Sequence, residues 1–261
     1  MEYTLITGAT SGIGRALAEE FAKRGQNLLL ASRNLTKMQE LQKYFTEKYR
    51  IEVIYNAIDL SDPQAPEELY AFCQKNAYTI NILVNNAGIG LETKRQTEQD
   101  MAEIEKLFQL NINAVLKLST LFGQDMQIRQ HGYILNVAST AAFQPMPYAA
   151  LYGAAKAFVL SLSEAMHIEL KKFGIGVTAV CPGITDTNFF KHGRPTVPSW
   201  IYKLVSPELV ARRAVKALYK KKIYIVPYFQ HWIIAQLSRF LPRQIMADLM
   251  YYIERLRKKI P

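Results

Sequence analysis

Seven short apolar runs divide the chain, at 3–7, 27–32, 52–58, 80–85, 133–138, 176–181 and 223–226. Most are rich in Val, Ile and Leu and lack polar alternation, the pattern of strands buried on both faces of a sheet. Segments with helical periodicity fall between them, for instance 12–24, 35–49, 111–130 and 151–173. Parallel neighbours need crossover helices, and those helices cover both faces. The alternation therefore predicts an α/β fold on a doubly wound, seven-stranded parallel sheet. With 261 residues and 49% apolar content, one domain holds the whole pattern. The predicted body covers 1–227, and 228–261 forms a helical extension of the same domain. Proline-rich irregular stretches stand at 144–148 and 193–200, the second inside a predicted lid over residues 184–205.

The first run leads directly into Thr7-Gly8-Ala9-Thr10-Ser11-Gly12-Ile13-Gly14, and a helical pattern follows. In that strand–turn–helix setting glycines allow a tight turn. They also let backbone N–H groups approach a pyrophosphate at a helix N-terminus. Gly8, Thr10, Ser11, Gly12, Ile13 and Gly14 are the candidate cradle, and the sheet is predicted to be of the Rossmann type. A turn that needs glycine only for packing is the plainer reading of the same residues. The second run ends in Ala31-Ser32-Arg33-Asn34. An NAD-selective site carries an acidic residue there for the ribose 2′-hydroxyl. Arg33 instead offers a planar cation suited to a 2′-phosphate, so Ser32 and Arg33 point to NADP(H).

Tyr152 and Lys156 lie four residues apart on a predicted helix and share one face. The spacing alone is weak, because Tyr44 and Lys48 repeat it on a charged helix that reads as a solvated face. Context separates the two pairs. Ser139 ends the fifth run thirteen residues before Tyr152, and Asn111 is predicted to open an earlier helix. Reducing a carbonyl by hydride transfer leaves an alkoxide that must gain a proton. Tyr152 can give that proton, Lys156 can favour the phenolate by its charge and bond a nicotinamide ribose, and Ser139 can polarise the substrate oxygen.

Taken together, the glycine loop, Asn85-Asn86-Ala87-Gly88, the Ser139/Tyr152/Lys156/Asn111 set and Pro182-Gly183-Ile184-Thr185-Asp186-Thr187 resemble the short-chain dehydrogenase/reductase family. The resemblance runs through residues 1–187. It implies an NADP(H)-dependent oxidoreductase that interconverts a carbonyl and an alcohol, with Ser139, Tyr152, Lys156 and Asn111 as the catalytic set. It implies that Asp59 contacts the adenine amino group next to Leu60, and that the cofactor ribose lies against Asn86, Ala87 and Gly88. Asn85 and Asn86 also brace the sheet. Pro182, Gly183 and Ile184 would meet the nicotinamide carboxamide through their backbone, Thr187 would bond it, and Asn111 would support a water chain to Lys156. A homo-oligomer, dimer or tetramer, is implied as well.

Beyond Thr187 the resemblance thins. Phe189, Phe190, Trp200, Ile201 and Tyr202 in the lid, with Ala141, Ala142, Phe143, Met146, Pro147 and Tyr148 before Tyr152, suggest a pocket for an apolar carbonyl compound, or else pack on one another. In the extension Phe229, Ile233, Leu237 and Phe240 recur at helical spacing, as do Ile245, Leu249, Ile253 and Leu256 beyond Pro242. These stripes are expected to cover the body or a partner subunit. Residues 1–205 hold 20 Lys/Arg against 19 Asp/Glu, whereas 206–261 hold 12 against 3. The basic tail suits a peripheral contact with an anionic membrane at its inner surface, or a solvated face. No nucleic-acid motif accompanies it. Cys73 and Cys181 form no paired motif, and His131, His167, His192 and His231 show no ligand spacing, so no metal is expected. No secretory signal precedes the first run and no apolar run is long enough to span a bilayer, so a cytoplasmic enzyme is expected. A catalytically inactive nucleotide-sensing module, or a membrane-surface module, on the same fold is the alternative.

Overall fold

The computed structural model describes residues 1–91, 94–187, 189 and 204–258, with side chains as far as 255. Each apolar run holds a strand: β1 (Glu2–Thr7), β2 (Leu28–Ser32), β3 (Val53–Ala57), β4 (Thr79–Asn85), β5 (Gly132–Val137), β6 (Ile175–Val180) and β7 (Tyr224–Ile225). All pair in parallel, in the order β3-β2-β1-β4-β5-β6-β7. The crossovers are α1 (Gly12–Ala22), α2 (Leu35–Tyr49), α3 (Ala65–Lys75), α4 (Met101–Phe108), α5 (Ala114–Arg129), α6 (Ala150–Lys171) and α7 (Pro207–Tyr219). Helices α8 (Phe229–Leu237) and α9 (Arg243–Lys258) follow the last strand.

The unbroken apolar strands are explained by burial on two sides. Successive side chains point to opposite faces. Ile6, Leu30 and Val84 enter a core with Leu17, Phe21, Met38 and Phe45 of α1 and α2 and Val210 and Ala214 of α7. Leu5, Leu29 and Leu83 enter the other core, with Leu69 of α3 and Leu118, Phe122 and Met126 of α5. Strand order reverses between β2 and β4 on either side of β1. The helices that follow β1 and β4 therefore pack on opposite faces, leaving at the carboxyl ends the crevice where such sheets bind ligands.

A buried polar chain crosses the sheet beneath that crevice. Asn85 Nδ2 donates to Ser119 Oγ and to Asn136 Oδ1, both at 2.9 Å, and Asn136 Nδ2 donates to Ser163 Oγ at 2.9 Å. It ties β4 and β5 to α5 and α6, which bears out the bracing expected of Asn85. Buried networks of this kind hold one arrangement, because any slip strands a polar group in low dielectric.

Two expectations need correction. Asn111 does not open a helix: it lies in a π-helical turn, Gln109–Asn113, that joins α4 to α5 in one continuous run. The wider turn presents the Asn111 side chain to the backbone after β4 instead of keeping it in register with α5. In the extension both helices form, and of the two surfaces expected to take their apolar stripes, the body or a partner subunit, the body is not the one. Phe229, Ile233, Leu237 and Phe240 are exposed, Phe240 at 82%, as are Ile245 and Leu249. His231, Ala235, Met246, Met250 and Glu254 are buried instead. The body packs on other faces of the two helices and leaves those stripes exposed on the single chain. Leu256 and most of the lid, including Phe190, His192, Trp200, Ile201 and Tyr202, lie outside the described side chains.

Candidate active site

The glycine loop sits at the carboxyl end of β1. Gly8 and Gly12 adopt φ of +64° and +51°, a region that L side chains enter only at a cost. A Cβ on Gly14 would lie 2.3 Å from the Gly8 carbonyl oxygen and 2.4 Å from Asn86 Nδ2, so α1 starts in direct backbone contact with the loop. Ser11 at the N-cap of α1 makes no side-chain capping bond among the described residues, so it does not itself occupy the first N–H groups of the helix. Thr7 Oγ1 accepts from the backbone N–H groups of Asn86 and Ala87, both at 3.0 Å, and Asn86 Nδ2 donates to the carbonyls of Thr7 and Gly8. The loop after β1 and the loop after β4 are thereby held as one unit.

Thr10 and Ser32 hydroxyls lie 3.0 Å apart, which pins the loop to the end of β2. Arg33 is next, with Nη1 3.6 Å from Asp59 Oδ2. Burial raises the Asp59 carboxyl, but the backbone and hydroxyl of Ser61 and the Arg33 charge together hold it below its ordinary range. The Arg33 side chain is 61% exposed, so this ion pair is weak and yields readily to a stronger anion. Leu60 is buried beside it. A dinucleotide with a 2′-phosphate fits this arrangement: glycines where side chains would obstruct it, an uncapped helix start and a weakly paired, largely exposed guanidinium at the end of β2.

Across the crevice, α6 places Tyr152 and Lys156 against the end of β5. Ser139 caps the helical turn Thr140–Phe143 by accepting from Ala141 N at 3.1 Å, and its hydroxyl acts on the Tyr152 phenol. Burial pushes the Tyr152 phenol above its ordinary range and the Ser139 hydroxyl opposes it. Lys156 is buried, donates to the Val137 carbonyl at 2.8 Å, and its Nζ lies 5.8 Å from the centre of the Tyr152 ring. Burial pulls its ammonium down to about 8. A Cβ on Gly88 would lie 3.2 Å from Asn111 Oδ1 and 3.6 Å from Lys156 Nζ, so those two side chains border the same glycine. Asn111 also receives the Ile89 N–H and donates to its carbonyl.

The other Tyr-x-x-x-Lys pair is built differently. Tyr44, Lys48 and Tyr49 all bond the Glu19 carboxylate on the outside of α1 and α2. Those bonds raise the Lys48 pKa, the reverse of Lys156. An ammonium already neutralised by a carboxylate cannot favour a phenolate, so this pair is an exposed structural cluster, as the sequence suggests.

Beyond β6, Thr140 N donates to the Pro182 carbonyl at 2.9 Å, and the Ser139 hydroxyl reaches the same oxygen at 3.4 Å. Thr187 returns to the glycine loop, its methyl 3.0 Å from a Cβ placed on Gly12. Asp186 N donates to Val205 O and Val205 N to Ile184 O, which closes the base of the lid. The structure thus gathers the residues singled out in the sequence along one edge of the sheet.

Residues 2–197 match the short chain dehydrogenase family. The chain belongs to that family. This dehydrogenase, an oxidoreductase by membership, is 31% identical to a very-long-chain 3-oxoacyl-CoA reductase of Rattus norvegicus over 99% of its own length and 81% of the relative's. It resembles the bulky-bulky ketone specific alcohol dehydrogenase from Comamonas testosteroni at a TM-score of 0.79 and 30% identity, with 92% of each chain covered. A short-chain dehydrogenase from Sphingobium yanoikuyae in complex with NADPH matches at a TM-score of 0.81 and 28% identity, over 95% of this chain and 96% of that one.

Three contacts at the dehydrogenase's site carry no local sequence signal, although Phe189 and Tyr148 themselves are named in the sequence as pocket candidates. Phe189 lies 5.9 Å from the Tyr152 ring and against Gly90. Tyr148, at φ +63°, stacks on Tyr251 of α9 at 5.8 Å. His231 of α8 lies against Gly183. Each joins segments far apart in the chain, so only the folded arrangement brings them together.

Proposed function

We propose that the dehydrogenase reduces the 3-oxo group of a long acyl thioester with NADPH. The observation that carries the chemistry is the convergence of Ser139, Tyr152 and buried Lys156 beside the glycine loop. NADPH, when bound, supplies the hydride to the carbonyl carbon. Ser139 donates a hydrogen bond to the carbonyl oxygen as negative charge builds there. Tyr152 gives its hydroxyl proton to that oxygen, completing the alcohol, and its raised pKa keeps it protonated at neutral pH. Lys156 holds positive charge near the resulting phenolate and returns a proton to it, and Asn111 would position a water through which Lys156 is then reprotonated.

The substrate class is supported by likeness to the reductase of Rattus norvegicus and by the apolar ring of Phe189, 5.9 Å from that of Tyr152. In a spectrophotometric assay, NADPH oxidation should rise with acyl length across a series of 3-oxoacyl-CoA thioesters. Turnover of aryl ketones with none of any thioester would overturn the substrate class. No substrate-dependent oxidation at all would favour an inactive nucleotide-binding module, which retention of the full catalytic set disfavours.

A cytosolic location is the further part of the proposal, supported by the two unpaired thiols, Cys73 and Cys181. Exposed Ile128 on α5 and Ile168 on α6 support a homo-oligomer. A peripheral membrane contact through the extension is supported by the stacked rings of Phe229 and Trp232, 5.9 Å apart, and exposed Phe240, all near Arg239 and Arg243 in the chain. The full chain should cosediment with anionic vesicles at low salt, be released at high salt and ignore neutral vesicles. Absence of binding at low salt would leave the extension a purely structural role.

A further inference from the structure

The C-terminal extension reaches the cofactor edge of the sheet at one point. His231, in the first turn of α8, is buried, with Tyr228 edge-on to its ring at 5.3 Å. Its imidazole lies against Gly183: a Cβ added there would stand 2.1 Å from Nδ1 and 2.5 Å from Cε1. The ring thus fills the volume that a side chain at 183 would take. Gly183 follows Pro182, whose carbonyl receives Thr140 N and the Ser139 hydroxyl. Ala235, one turn further along α8, is buried with Val159 of α6 and with Cys181, which immediately precedes that loop.

We infer that His231 is a positioning residue, setting the 182–187 loop, and through it the nicotinamide half of the cofactor site, from the C-terminal extension. The inference rests on the reading that this loop meets the nicotinamide. A planar ring with two torsions is a stiff wedge, and a glycine beside it has no side chain of its own to fix the backbone. Removing the wedge frees the loop where small displacements matter most for hydride transfer. The 2′-phosphate of the adenosine half would be held by Arg33 after β2, four positions along the sheet from β6.

Two ligands separate the halves: NADPH, and adenosine 2′,5′-bisphosphate, which lacks the nicotinamide ribose and ring. His231→Ala should weaken NADPH binding and lower kcat by roughly tenfold to a hundredfold while leaving bisphosphate affinity unchanged. Gly183→Ala should be worse, since its methyl overlaps the ring. Gly183→Ala combined with His231→Ala should recover NADPH affinity to the level of His231→Ala alone, a rescue that general destabilisation would not produce. If His231→Ala weakens both ligands equally, or neither, or if the double variant shows no recovery, the positioning role is wrong. If the unmodified protein binds NADPH no more tightly than the bisphosphate, the nicotinamide reading of the loop falls instead.

Discussion

Tyr152→Phe should lower carbonyl reduction by roughly 10²- to 10⁴-fold while NADPH still binds. The substitution removes one hydroxyl and keeps the ring that packs at 5.9 Å from Phe189. What is lost is the proton that the developing alkoxide needs, together with the interaction with Ser139. Tyr44→Phe is the matched control: its hydroxyl bonds Glu19 on the outer face of α1 and α2, so turnover should barely change. The pH dependence follows from Lys156. Burial brings its ammonium down to about 8 from the usual 10.5, because the charged form is poorly solvated there. Below that pH the lysine is charged and can favour the phenolate left after proton transfer. Above it the charge is lost, so reduction should decline as pH rises through about 8. Steady-state rates of the two variants and a pH profile of the unmodified enzyme check both statements. Equal losses in Tyr152→Phe and Tyr44→Phe would overturn the assignment.

Arg33→Ala should weaken NADPH by about tenfold to a hundredfold and leave NADH nearly unchanged, because a charge-assisted phosphate contact is worth about 1.5–3 kcal/mol. The existing partner does not offset that loss. Its ion pair with Asp59 spans 3.6 Å between largely exposed groups, an interaction worth ~0–1 kcal/mol. Asp59 keeps its two bonds from Ser61 whether or not Arg33 is present, so the site stays folded in the variant. Calorimetric titration of both cofactors against both proteins decides the matter. Equal affinity of the unmodified enzyme for NADPH and NADH would remove the basis for the selectivity.

Most of the fold was legible because its signals are local. A strand buried on both faces must be apolar throughout, and a glycine in backbone contact with a neighbour leaves no room for a side chain. β6, buried at every residue, and Gly14, with no room for a methyl, are the clearest cases. The site residues before Thr187 were legible for the same reason, since the carboxyl ends of parallel strands must share one edge once the sheet is doubly wound. The residue types at those ends therefore specified the chemistry.

Burial determined the rest, and burial is a property of the whole fold. Tyr44/Lys48 and Tyr152/Lys156 have identical spacing, yet one ammonium is raised by hydrogen bonds with Tyr44, Tyr49 and Glu19 and the other lowered by desolvation. Asn111 faces Ile89 only because a π turn rotates it there. The extension shows the limit most plainly. Its periodicity specifies two helices, but which side of each turns inward depends on the surface the body offers, 50 to 80 residues or more away in the chain. That surface takes His231, Ala235, Met246 and Met250 and leaves Phe229 and Phe240 outside. A side chain's neighbours along a helix follow from sequence spacing, whereas its neighbours across an interface exist only after both surfaces have formed.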